Sequence, residues 1–343
     1  MVIQFPFLSS PGFRYEDLQG EAAKVQASAL SEGTKRNYRS IWSLYDKFTR
    51  FYNLKPFPAT PETLSSFITL VGFSVKSHKT VYNYTSALHK LHDLCSFDSA
   101  AFDHISVKLT LKGLEKLKRH IPLRKLPITP DILLKFRSHL DLRNSAHLAL
   151  WAALLVGFFT FFRTANLCPP FRETFSSFST LSRNDITFTS WGAAIAVTRT
   201  KTRQSGDTAL VVPIPFIPNS DLCPVKALQA LFQAVHVPSS APAFSYISKA
   251  QEPDCLTAPT FRSSIQSLAS RIGLEPANYS GHSLRRGGAT FAFQCGIPAE
   301  LIKMQGDWRS DAYLLYLLIP LADRLILSQT LAYHIRLMVQ AEY

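Results

Sequence analysis

The chain has 343 residues, with 37 Lys+Arg against 24 Asp+Glu and a net charge of +13 when His is neutral. Hydrophobic residues at 46% and charged residues at 18% describe a chain able to bury a core, which excludes a disordered tail, and an isoelectric point near 9.6 points to a polyanionic partner, nucleic acid first. Cys95, Cys168, Cys223, Cys255 and Cys295 lie far apart with no spacing that closes a zinc site, so reduced thiols, an intracellular protein and no bound metal are expected.

Residues 1–30, with Pro6, Pro11 and Gly12 and few periodic apolar positions, read as an arm or loosely packed lead-in. From Thr34, which can cap a helix, Tyr38, Trp42, Leu44, Tyr45 and Phe48 recur at spacings of three and four, while Lys35, Arg36, Arg39 and Lys47 occupy other faces. Pro61 after Thr60 opens a second helix, SHKTVYNYTSALHKLHDLC reads as a third and VKLTLKGLEKLKRH as a fourth. The Pro-spaced basic stretch RHIPLRKLPIT has linker composition, placing a boundary near residue 124 between a helical domain (1–124) and a larger one (125–343). Residues 1–125 hold 18 Lys+Arg against 10 Asp+Glu and the remainder 19 against 14, so the smaller domain is the more basic.

Helices are expected at 130–142 and 145–161; the second contains HLALWAALLVGFFTFF, which Arg163 cuts off short of the ~20 apolar residues of a membrane span. The start MVIQFPFLSS lacks the basic segment and cleavage site of a signal peptide. In ITFTSWGAAIAVTRTKTRQSGDTALVVPI, β-branched alternation broken by SWG and KTRQSGD gives an antiparallel sheet of two or three strands. Further helices are expected near 222–235, 259–272, 282–295, 298–305 and 311–318. The fold class is therefore mainly α with a small antiparallel β-sheet.

Four places along this second half can carry chemistry. Arg163 is the lone charge in an apolar run; burying a guanidinium costs several kcal/mol unless it is paired, so it meets either an anion or a carboxylate such as Glu173 or Asp185. Lys201, flanked by Arg199 and Arg203, sits at a hairpin tip, where it is solvated or projects into a cleft as a proton donor or phosphate contact. In GHSLRRGGAT, His282 and Arg285 are i and i+3 on a helix and can converge on one oxyanion; the plain alternative is a capping His with two solvated arginines, Arg285 and Arg286. In GDWRSDAYLLYL, Ser310 or Asp311 can cap a short helix carrying Tyr313 and Tyr316 behind Trp308; the tyrosines are core residues or nucleophiles.

The ordered set Arg163, Lys201, His282 with Arg285, Trp308 and Tyr316 resembles the tyrosine recombinase (phage integrase) family, and the resemblance runs the whole chain as a helical core-binding domain followed by an α+β catalytic domain. GDWRSDAYLLYL looks most like the Crypton and DIRS type of eukaryotic mobile-element recombinase. Two positions depart from the family pattern. Asn166 stands where the family has Glu or Asp three residues after its first arginine, and the Trp308 to Tyr316 interval of eight is one shorter than in many bacterial members.

The resemblance implies a site-specific recombinase that uses neither metal nor other cofactor. Tyr316 attacks the scissile phosphate, Arg163 and Arg285 grip the non-bridging oxygens, His282 assists proton transfer, Trp308 donates its indole N–H and Lys201 protonates the leaving oxygen. It also implies double-stranded DNA as partner, contacted through Lys35, Arg36, Arg39, Lys76, Lys79, Arg199, Arg203 and Arg286. The implied assembly is a homo-tetramer on two DNA sites, nuclear if the host is eukaryotic. The alternatives are a type IB topoisomerase-like enzyme and a domesticated DNA-binding protein that no longer cleaves.

Overall fold

A computed structural model describes residues 14–118, 124–198 and 209–315, together with residues 329, 332 and 333. The chain separates into two compact units, Met1–Pro122 and Leu123–Tyr343.

In the first unit, α1 (Tyr15–Ser28) forms where a loose arm was expected, although its described side chains are all exposed. α2 (Glu32–Phe51) begins three residues earlier than a Thr34 cap would place it, because Ser31 is the cap: its hydroxyl accepts from Thr34 N–H at 3.2 Å. α3 (Pro61–Ser74) is capped by Thr60, α4 (His78–Leu94) by Ser77 and α5 (Ile105–Leu117) by His104. These helices bury Ile41, Tyr45, Phe48, Leu64, Phe67, Val81, Leu88, Val107 and Leu114 in one core. Gly72 lets α3 and α5 meet, since a Cβ there would stand 2.7 Å from the Leu114 methyls.

His92 is fully buried in this core against Phe57, Phe97 and Phe102. Its Nε2 accepts the Ala59 N–H at 3.1 Å, which leaves Nδ1 as the donor to Leu88 O at 2.9 Å, so the ring is satisfied only when neutral. Desolvation is the main cause that holds its pKa below the ordinary 6.5. As pH falls from 6.5 toward the lowered folded value, the unfolded chain takes up a proton that the folded chain refuses, so stability conferred above 6.5 is lost. Urea titrations across pH 7.5 to 4.5 are expected to show this loss in the wild type and a shallower one in His92→Gln; equal slopes would contradict it.

In the second unit, residues 124–129 run extended, with Leu126 N–H donating to Asn278 O and Ile128 N–H to Ser283 O. α6 (Pro130–Arg137) stops short of the expected residue 142. α7 (Ser145–Thr160), capped by Asn144, is buried almost all round and is the central helix of the unit, which is why it reads as uniformly apolar. No described helix is long and apolar enough to cross a membrane. α8 (Thr164–Leu167) leads to the antiparallel sheet β1 (Ile186–Phe188), β2 (Gly192–Val197) and β3 (Leu210–Pro215), in that order, with Ile195 opposite both Ile186 and Val212. α9 (Pro224–Ala234) follows, then a short hairpin not expected from the sequence, β4 (Ser245–Ile247) and β5 (Pro253–Cys255). α10 (Ala258–Arg271), α11 (Gly281–Gln294), α12 (Ala299–Gln305) and a 3-10 turn over Asp311–Leu315 complete the described chain. The mainly helical fold with small antiparallel sheets is the one expected. The β2–β3 connection, with Arg199, Lys201 and Arg203, and the nucleophile candidate Tyr316 lie outside the described residues.

Candidate active site

The site begins where α7 ends. Phe161 takes a left-handed conformation (φ 55°, ψ 25°), which costs a non-glycine residue roughly 1–2 kcal/mol. Thr160 braces the turn, its hydroxyl donating to Val156 O and accepting the Phe162 N–H. The chain then delivers Arg163 to the N-cap of α8, half-buried. Among the described residues its guanidinium makes no hydrogen bond or ion pair. Asp185, one candidate structural partner, instead accepts from the N–H and hydroxyl of Ser182, and Glu173 makes no ion pair among the described residues. Asn166 is buried, and its amide reaches Ser179 O at 3.4 Å.

α11 supplies the next two residues. Ser280, not His282, is its cap: the Ser280 hydroxyl accepts the His282 N–H at 3.3 Å, and Ser283 returns the bond to Ser280 N–H. His282 and Arg285 therefore sit one turn apart as expected. Gly281 lets the helix start reach α8, because a Cβ there would lie 2.1 Å from the Thr164 hydroxyl. Gly288 allows the same at α7, where a Cβ would lie 2.1 Å from Phe158 O and 2.6 Å from the Phe161 ring.

Arg285 is 2% exposed. Its Nη1 donates to Phe161 O, and its guanidinium lies over the Trp308 ring at 3.7 Å from the centroid. His282 is exposed as a whole, yet its ring is desolvated enough for burial to be the largest cause of its lowered pKa, followed by the charges of Arg285, Arg163 and Arg286. Burial and the charges of three arginines thus act together to keep this imidazole neutral near pH 7. Arg286, expected on DNA, is 7% exposed and donates through Nη1 to Lys125 O at 2.8 Å; in this conformation it is spent on the protein's own backbone.

Trp308 is buried and is brought in by Gln305, whose amide donates to Phe159 O at 3.0 Å, and by Asp307 in a left-handed turn (φ 51°). Gly306 is obligatory there, since a Cβ would overlap the indole at 1.7 Å. The Trp308 ring face supports Arg285. Tyr313 is 6% exposed and packs on Trp308 with 6.1 Å between centroids, in a small cluster with Phe161, Ala289 and Ile302. A phenol so placed is a core residue. Among the described residues no group of three or more His, Cys, Asp or Glu is placed to hold a metal.

In the first unit, Arg36, Arg39, Lys76 and Lys79 are exposed and make no ion pair among the described residues, whereas Lys35 is bonded to Glu32 at 2.8 Å. Lys112 and Lys116 on α5, not among the basic residues expected on DNA, are likewise exposed. Phe161, Thr164 and Gly306 carry no role expected from sequence; for the last, the Gly-Asp-Trp string was the available signal.

No protein-family model matches the chain. A curated "integrase/recombinase xerD homolog" from Selenomonas ruminantium is 25% identical over 301 residues, covering 86% of this chain and 84% of that protein. Among solved structures, a lambda integrase dimer bound to a COC' core site superposes with a TM-score of 0.56 at 15% identity, over 90% of this chain and 77% of that one. The Tn1549 transposon integrase in complex with circular intermediate DNA gives a TM-score of 0.53 at 14% identity, over 87% of this chain and 94% of that one.

The close approach of α11 to α8 yields a packing test. Gly281→Ala is expected to destabilise by about 1–3 kcal/mol through overpacking against Thr164. Adding Thr164→Ala, which removes the obstructing hydroxyl, is expected to recover most of that loss in denaturant unfolding. Additive losses in the double variant would show that the two residues do not meet.

Proposed function

We propose that this chain, whose fold and sequence likeness support a place in the tyrosine recombinase/integrase family, is a site-specific recombinase that cleaves and rejoins DNA through a 3′-phosphotyrosyl intermediate on Tyr316. The observation that carries the reading is the convergence of Arg163, His282 and Arg285 at the meeting of α8 and α11, with Arg163 free of any protein partner among the described residues.

Attack on a phosphodiester builds negative charge on the non-bridging oxygens, and fixed guanidinium groups stabilise that charge without having to reorganise. Arg163 and Arg285 supply them. Neutral His282 can take or return a proton near pH 7. The Tyr316 oxygen bonds to phosphorus as the bond to the 5′-oxygen breaks, and Lys201 protonates that leaving oxygen; attack by a 5′-hydroxyl reverses the step and releases the tyrosine. The burial of Tyr313 favours Tyr316 as nucleophile. Exposed Arg36, Arg39, Lys76 and Lys79, and the outer Lys35, would meet phosphates of the duplex, and Arg199 and Arg203 flank Lys201 in the same basic stretch of sequence.

GDWRSDAYLLYL supports a mobile-element recombinase of Crypton or DIRS type, nuclear if the host is eukaryotic. The amphipathic segment RLILSQTLAYHIRLMVQAEY after the nucleophile supports exchange between protomers in a tetramer on two DNA sites.

A pool of nicked duplexes with randomised sequence around the nick makes the test independent of the target site. The wild type is expected to trap a subset as protein–DNA adducts that survive SDS, undiminished by EDTA, while Tyr316→Phe binds DNA and traps none and Tyr313→Phe retains most activity. DNA binding without any adduct would favour the non-cleaving alternative. Adducts lost in EDTA and restored by magnesium would contradict the cation-only mechanism.

Binding should also weaken steeply with salt. For about six phosphate contacts, counterion release lowers affinity roughly a thousandfold between 50 and 200 mM. A flat dependence would mean that the +13 charge serves something other than duplex DNA.

A further inference from the structure

We infer that Phe161 is a positioning residue that sets the orientation of Arg285, a role resting on the reading above for what Arg285 grips. Three observations converge on it. Its backbone is left-handed (φ 55°), a conformation that a bulky residue rarely adopts and a glycine adopts freely. That backbone turns the Phe161 carbonyl onto the Nη1 of Arg285. Its ring, 6% exposed, lies 6.3 Å from the Trp308 ring, and Trp308 carries the Arg285 guanidinium on its face.

One residue thus holds the same guanidinium twice, directly through its carbonyl and indirectly by bracing the indole beneath it. α11 is shaped to admit the ring, because Gly288, one turn beyond Arg285, leaves the space that a Cβ 2.6 Å from the Phe161 ring would fill. A glycine at 161 would reach the same backbone turn without strain, so the strain persists for what the ring does. The ring belongs to the cluster of Ala289, Ile302, Trp308 and Tyr313, which ties the end of α7 to the segment leading into Tyr316. Phe161 touches no reacting atom in this scheme; it acts through Arg285 and Trp308.

Phe161→Gly separates the two contributions, keeping the carbonyl and the left-handed turn while deleting the ring. In the free protein, Trp308 emission is isolated as the difference from Trp308→Phe. Phe161→Gly is expected to change it in the same direction as Arg285→Lys. With a duplex recovered from the randomised pool, the cleavage rate at saturating DNA is expected to fall at least tenfold with affinity within twofold, and Phe161→Gly is expected to add little further loss on an Arg285→Lys background. Wild-type Trp308 emission together with cleavage within twofold would overturn the inference, as would fully multiplicative losses in the double variant.

If the wild type traps no DNA, the functional reading fails while the Trp308 spectrum still decides whether Phe161 orients Arg285. If Phe161→Gly does not fold, Phe161→Leu takes its place, retaining apolar bulk without the flat ring. A smaller change of the same sign supports the inference, and an unchanged spectrum overturns it.

Discussion

Arg285 is a permanently charged group at 2% exposure, and the packing of α7, α8 and α11 in the second unit is organised around accommodating it. Taking a guanidinium out of water costs several kcal/mol unless its donors and its charge are met. Here the Phe161 carbonyl takes one donor and the Trp308 face takes the charge. Neither of these two partners is an anion. With Arg163 unpaired among the described residues, the field at the start of α11 remains positive enough to hold His282 below the ordinary imidazole range, after its desolvation.

That arrangement dictates where glycine must stand. Gly281, Gly287 and Gly288 bring α11 against Thr164, Ile128 O and Phe158 O respectively, and Gly306 brings the following turn against Trp308. The string GHSLRRGGAT therefore serves two ends. Its cations make the site, and its glycines allow a helix carrying buried cations to lie deep enough for neighbouring backbone carbonyls to reach them. Arg286 shows the second use, donating to Lys125 O and fastening the extended segment at the start of the unit.

Helix caps and periodic apolar faces made most helices legible: Thr60 with Pro61, and the three-and-four spacing from Tyr38 to Phe48. The local signal failed where two residues competed for one role. Ser31 outcompetes Thr34 as cap of α2, and Ser280 outcompetes His282 at α11, because in each case a free hydroxyl lies next to the first unsatisfied N–H groups. The β4–β5 hairpin was hidden because its strands are three residues long and Pro253 opens one of them. Arg163, His282 and Arg285 were legible as a set from their order along the chain. The roles of Phe161 and Thr164 were not, since a left-handed phenylalanine and a threonine beneath a glycine acquire meaning only when α7, α8 and α11 meet.

In the proposed reaction Arg163 and Arg285 act by neutralising charge on a phosphate, so moving that neutralisation from the protein to the substrate isolates their role. In a duplex recovered from the randomised pool, the scissile phosphate is replaced by an uncharged methylphosphonate, and adduct formation is measured for the wild type and Arg163→Ala. Arg163→Ala is expected to be crippled on the phosphate and largely restored on the methylphosphonate. An equal loss on both substrates would mean that Arg163 holds the fold or the DNA and does not stabilise the charge that develops at phosphorus.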